Sequence, residues 1–222
     1  DSESEIYTMT SNAYVMWGRQ DNVTYAYNKY NLEYGDRSNI TIAATILSHG
    51  MLDPNDTMHE NASIGICLRS TAEVNGDYDS TMQSQCIYLH VRRDEIMVMH
   101  RAADGGEYVY KAETIGQYPI KLILEKKGNA VKAKAECGDG SSITFGTFYM
   151  NMTDIVTAGI AAHSVEEDEI LKSTFTDFEL EIEGPEGSEY TPPGGGSSDD
   201  GSGEEVDYDN VLPEDPALTE GI

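Results

Sequence analysis

Apolar and polar residues alternate with a period of two along much of the chain before residue 184. Residues 40–47 place Ile40, Ile42, Ala44 and Ile46 on one side and Thr41, Ala43 and Thr45 on the other. Such alternation sends successive side chains to opposite faces of an extended strand. Residues 63–69 repeat it, with Ile64, Ile66 and Leu68 set against Gly65, Cys67 and Arg69. Residues 86–92 set Ile87, Leu89 and Val91 against Cys86, Tyr88, His90 and Arg92, and after a charged turn a strand returns over 96–101. Further strands are predicted over 120–126, 131–137, 144–150, 158–163 and 174–183, with Lys127-Gly128-Asn129 and Gly138-Asp139-Gly140 supplying turns. The short apolar patch 152–156 predicts a turn of helix. Short strands with regular turn signals and almost no helical periodicity predict an all-β, two-sheet antiparallel β-sandwich.

The pattern stops near residue 184. Thr191-Pro192-Pro193 leads into a run of Gly, Ser and Asp, then Glu204-Glu205. Such residues bury too little apolar area to offset ordering entropy. The expected organisation is a β-sandwich module over 1–184 and a disordered acidic linker over 185–222, leading towards a covalently linked neighbouring domain.

The formal net charge is −26. Twelve of the acids lie from Glu183 onward, where there is no Lys or Arg, so the body keeps 28 acids against 14 bases. That balance argues against nucleic acid, whose phosphates need clustered cations, and against an anionic membrane surface. No stretch reaches the roughly 18 apolar residues of a membrane helix, so membrane insertion is not expected. Cys67, Cys86 and Cys137 cannot all pair within one chain, and there is no CxxC. Alternation puts Cys67 and Cys86 on one face, where two readings stay open: a disulfide between them, or buried free thiols.

Several segments in order resemble the concanavalin-like, laminin-G-like jelly-roll modules, including the group that accompanies bacterial secreted pectate lyases and glycosidases. Ala13-Tyr14-Val15-Met16-Trp17-Gly18, then Asp21 and Thr24-Tyr25-Ala26-Tyr27, resembles the opening strand pair. Ile64-Gly65-Ile66-Cys67-Leu68-Arg69 and Met97-Val98-Met99-His100-Arg101 are similar to strands ending in Arg. Ile120-Lys121-Leu122 with Lys127-Gly128-Asn129, Gly159-Ile160-Ala161, and Phe175-Thr176-Asp177-Phe178 resemble the last third. The likeness spans residues 7–182. It implies a concanavalin-like jelly roll at an extracellular or cell-surface location, and a monomeric accessory module of a multidomain protein handling polysaccharide, pectin-like polymers first.

A glycosidase on such a sandwich needs two carboxylates on one strand face. Glu166-Glu167-Asp168-Glu169 reads as a solvated turn, and Glu179 and Glu181 as an exposed face, so no catalytic residues are expected. The rival readings are a structural spacer and, less favoured, a polysaccharide-cleaving enzyme. The face bearing Arg69, Tyr88, His90, Arg92 and Arg101 is the candidate ligand surface. Its groups can stack on sugar rings and form forked hydrogen bonds to hydroxyls or uronate carboxylates. The alternative is a solvated outer face holding ion pairs. Trp17 is either a core plug or a stacking platform. Asp77 and Asp79 lie in an oxygen-rich loop that a structural calcium could use, although turn residues of this kind occur without metal. Asn-x-Ser/Thr triplets begin at Asn22, Asn39, Asn55, Asn61 and Asn151. They are glycosylation acceptors only in a eukaryotic secretory setting.

Overall fold

The computed structural model describes residues 5–17, 20–74, 77–79, 84–93, 95–104, 108–114, 116–166 and 168–185, with the backbone alone at 15–17, 20, 72–74 and 77–79. The linker expected over 185–222 lies outside the described residues from 186 onward.

Among the described residues sixteen strands run in chain order: β1 (Tyr7–Ser11), β2 (Val15–Trp17), β3 (Gln20–Asn22), β4 (Thr24–Asn31), β5 (Asn39–Met51), β6 (Ser63–Ser70), β7 (Ala72–Val74), β8 (Asp77–Asp79), β9 (Cys86–Arg92), β10 (Glu95–Arg101), β11 (Val109–Thr114), β12 (Ile120–Lys127), β13 (Ala130–Cys137), β14 (Ser142–Tyr149), β15 (Ile155–His163) and β16 (Leu171–Glu183). Two six-stranded sheets form a jelly-roll sandwich. The first has the order β1-β16-β5-β12-β13-β14 and the second β11-β10-β9-β6-β15-β4. Neighbouring strands within both sheets are antiparallel. The hairpins β2–β3 and β7–β8 are small separate sheets. Among the described residues, the helical content is one 3-10 turn, Gly35–Arg37. The turn of helix expected over 152–156 is absent. Instead Thr153 bonds to Ser70 and Thr71, and β15 begins at Ile155.

The alternating positions meet between the sheets. Ile42, Ala44 and Ile46 of β5 and Leu122 and Leu124 of β12 pack with Ile64, Ile66, Ile87 and Leu89 of the second sheet. Two bulges break the period where it would misdirect an aromatic ring. Ala133 pairs with Gly146 and Lys134 with Thr144, so Phe145 is the extra residue and Gly146 takes φ +97. The insertion brings both Phe145 and Phe148 onto the core face, where strict alternation would expose one of them. In β16 the register slips between Thr176 and Glu179, with Asp177 at φ +51, and both Phe175 and Phe178 pack against the core.

Lys126 ends the inward row Ile120, Leu122, Leu124 and is itself buried. Its Nζ donates to the carbonyls of Asp36 (2.6 Å) and Ser38 (3.0 Å), which closes the 3-10 turn onto the sheet. Burial lowers its pKa to about 8. Lys126→Met keeps the alkyl stem but removes both bonds and strands the buried Ser38 carbonyl, so it should cost about 2 kcal/mol in denaturant unfolding. An unchanged unfolding midpoint would show that these bonds are dispensable.

Candidate functional site

The outer face of the second sheet is the side turned away from the core. Strands β6, β9 and β10 place Arg69, Tyr88, His90 and Arg101 on it together, as alternation requires. Tyr88 faces Cys67 and Met99 across the ladder, and Arg101 and Arg69 both face Cys86. The expectation of an exposed face is corrected. Arg101 and Tyr88 are 0% exposed and Arg69 and His90 2%. Cys67, Cys86, Tyr88, Met97, Met99 and Ala161 form a second buried cluster, joined by Tyr25 and Tyr108. The sheet is thus buried on both sides at its centre.

What closes one end is a carboxylate from the β2–β3 hairpin. Asp21, itself buried, accepts a hydrogen bond from Arg69 Nη2 (2.6 Å) and a forked pair from Arg101 Nη1 and Nη2 (3.0 and 2.9 Å). The Tyr108 hydroxyl lies 3.1 Å from both carboxylate oxygens, and the Arg101 guanidinium sits 4.2 Å from the centre of the Tyr108 ring. The Cys86 thiol meets the same hydroxyl at 2.8 Å. Burial opposes its thiolate, but hydrogen bonding with Cys67 and the Arg69 charge bring its pKa down to about 7. All three cysteines are free and buried. Cys67 and Cys86 lie on paired strands two positions out of register, and of the two readings the free thiols hold.

The other end of the face carries a hydrogen-bonded chain. Tyr88 donates to the Ala161 carbonyl (2.9 Å), so its oxygen accepts from Ser63 (3.0 Å). Ser63 in turn accepts from His163 Nε2 (2.9 Å). That order puts the His163 proton on Nε2 and leaves Nδ1 a bare lone pair. His90 stacks on Tyr88 with ring centres 4.2 Å apart. Neither His90 Nδ1 nor His163 Nδ1 has a hydrogen-bond partner. Burial drives His90 well below the usual imidazole range and His163 to about 4, so both are neutral at pH 7. A neutral imidazole with a free lone pair can take a proton.

The remaining predicted residues divide. Arg92 stands apart from the cluster, half-buried, and binds Glu95 and Asn61. Trp17 lies in β2 and Asp77 and Asp79 in β8, and their side chains fall outside the described ones. Among the described residues no group of His, Cys, Asp or Glu is arranged to hold a metal ion. Glu179 and Glu181 are exposed, as expected. Three residues that alternation alone does not find complete the site: Asp21, Tyr108 and His163. A separate open groove of about 410 Å³ runs along the edge near β4 and β16, lined by Tyr7, Tyr27, Asn28, Phe175 and Phe178.

No family model matches the chain, and no curated protein matches it. Solved structures do. A functionally unknown protein from Saccharomyces cerevisiae aligns with TM-score 0.53 at 9% identity, over 81% of this chain and 91% of the other. A family 7 alginate lyase, A1-II', in complex with a GGMG substrate aligns with TM-score 0.52 at 8% identity, over 84% and 81%. Peanut lectin is more distant, with TM-score 0.45 at 8% identity, over 82% and 99%. The likeness is one of fold.

That fold corrects the expectation that the module is no enzyme, since it points to a possible one. The expectation rested on the missing carboxylate pair of a glycosidase, yet an alginate lyase is built on this sandwich. Cleavage by elimination needs a base and a means of quenching the sugar carboxylate, and no carboxylate pair. The glycosidase criterion therefore decides nothing here.

Proposed function

We propose that the chain recognises a uronic-acid polysaccharide at the outer face of its second sheet. The supporting observation is that two arginines from the strands flanking β9 converge there on one carboxylate, with the Tyr108 hydroxyl on the same oxygens. Each uronate residue of pectin-like or alginate-like polymers offers a carboxylate, which forked guanidinium hydrogen bonds suit, and rings on which Tyr can stack. Solved structures of the same fold that act on alginate support the same class of ligand. The rival reading, a structural spacer, would use the same ion pairs to hold the β2–β3 hairpin on the sheet.

Affinity electrophoresis tests the reading. The chain should be retarded in gels containing polygalacturonate or alginate and should run freely in a neutral glucan. Equal retardation in all gels, or none in either polyuronate, contradicts it.

The alginate lyase built on the same fold favours a second reading, in which the bound polyuronate is also cleaved. With its carboxylate charge quenched, the sugar would lose the neighbouring ring proton to a base, form a carbon–carbon double bond, and release the glycosidic oxygen as an alcohol that takes up a proton in turn. Ultraviolet absorbance of unsaturated uronate, followed in the same mixtures, separates binding with cleavage from binding alone.

A further inference from the structure

We infer that the open groove beside β4 and β16 is a second binding site, which takes an uncharged planar aromatic ligand. It lies apart from the arginine face and goes beyond the polyuronate reading.

The groove is sandwich interior left unfilled. In the β4–β15 ladder Ala26 stands opposite Ile160, and Asn28 opposite Ala158. Ile160 and Ala158 belong to the core cluster, so Ala26 and Asn28 share their inward face. Both are nevertheless exposed. Tyr7 of β1 and Phe175 and Phe178 of β16 line the other wall, with about 410 Å³ of open space between. An alanine and an amide thus occupy inward positions that a closed sandwich edge fills with interdigitating apolar side chains.

The wall of rings is fixed in place. Tyr7 pairs with Phe175 across the ladder and their rings stack, with centres 5.4 Å apart and planes 24° apart. The Tyr7 hydroxyl donates to the Glu5 carboxylate, and the Glu5 carbonyl accepts from Thr176 (2.8 Å). Phe178 joins Phe175 on this wall through the register slip between Thr176 and Glu179, where Asp177 takes φ +51. Left-handed backbone is uncommon at a residue other than glycine. The two phenylalanines it aligns stay only partly buried, beside the open space. Uncommon backbone of this kind clusters at ligand sites.

The lining sets the chemistry of the ligand. Among the described residues no charged side chain lines the groove, and the Glu5 carboxylate on Tyr7 disfavours an anion. Asn28 and Tyr7 are the polar side chains there, and the Tyr7 hydroxyl is already given to Glu5. Two such groups are too few for the many hydroxyls of a sugar. Three rings facing alanines suit a flat apolar body, which stacks on the rings and offers one hydroxyl to Asn28.

Equilibrium dialysis of the full chain against 2-naphthalenemethanol tests the inference. A Kd of about 0.1 mM is expected, with 2-naphthoate and methyl glucoside at least about tenfold weaker. Ala26→Phe puts a ring into the groove from an exposed position on an edge strand. It should abolish binding while Tm stays equal to, or rises above, that of the unaltered chain. Tyr7→Ala, which removes one ring of the wall from another edge strand, should weaken binding about tenfold and serves where Ala26→Phe folds poorly. No binding of the naphthyl alcohol overturns the site, as does binding that neither substitution alters. Naphthoate or methyl glucoside bound as tightly as the alcohol overturns the ligand class. Each of these outcomes leaves the arginine face, and the polyuronate reading with it, to its own gels.

Discussion

Arg101→Ala should lower Tm by about 10 °C or more, the largest effect of any single substitution in the chain. Arg101 is fully buried and gives Asp21 two of its hydrogen bonds. Its removal leaves Asp21 with Arg69 and Tyr108 alone in a water-poor setting, and opens a void where the guanidinium lay against Tyr108. Breaking a buried ion pair from one side typically costs about 3–5 kcal/mol, against about 5–15 kcal/mol of total stability for a domain. Arg101→Lys should recover only part of the loss, because an ammonium cannot make the fork. Thermal melts of the two variants and the unaltered chain measure both effects. Equal Tm values for Arg101→Ala and the unaltered chain would mean that the hairpin is held by other contacts.

Acid should unfold the chain with a midpoint near about pH 4–5. His49 and His163 are both held neutral, with pKa values lowered to about 4 by burial. His49 donates from Nε2 to the Ala62 carbonyl, so in the neutral ring its Nδ1 accepts from Ser173, and a proton on Nδ1 would reverse that bond. In the unfolded chain each imidazole takes up a proton below about pH 6.5. Between that value and about 4 the unfolded state therefore binds more protons, and stability falls as the pH falls. The full contribution is present above pH 6.5, and each histidine forfeits about 3 kcal/mol by pH 4. His90 is displaced in the same direction, with His163, Arg92 and His49 adding repulsion to the effect of burial. Urea unfolding at a series of pH values checks this. A stability unchanged from pH 7 to pH 4 would mean that these imidazoles are protonated in the fold.

Strand positions were largely legible because period two survives in single residues. Ile64, Ile66 and Leu68 announce the core face of β6, and Cys67 and Arg69 its opposite side. The bulges were less legible. Gly146 hints at one, but nothing in Phe175-Thr176-Asp177-Phe178 dictates that Asp177 should take φ +51. The burial of the outer face did leave a trace that alternation overlooks. Residues 63–70 lack a charged or large polar side chain before Arg69, and the side chains opposite the core include Cys67, Cys86, Tyr88, Met97 and Met99. A strand apolar on both sides is covered on both sides. The cover itself was beyond reach: Asp21 meets partners 48 and 80 positions away, and no local pattern marks a contact of that range. Reading Arg69, Tyr88, His90 and Arg101 as one face was sound, while its exposure depended on a hairpin whose place is set by the tertiary fold.

Hydrogen exchange measured with and without an oligogalacturonate tests the location of the ligand most directly. Binding at the outer face should slow exchange across β6, β9 and β10. Protection confined to the open groove around Tyr7, Tyr27 and Phe175 would contradict it.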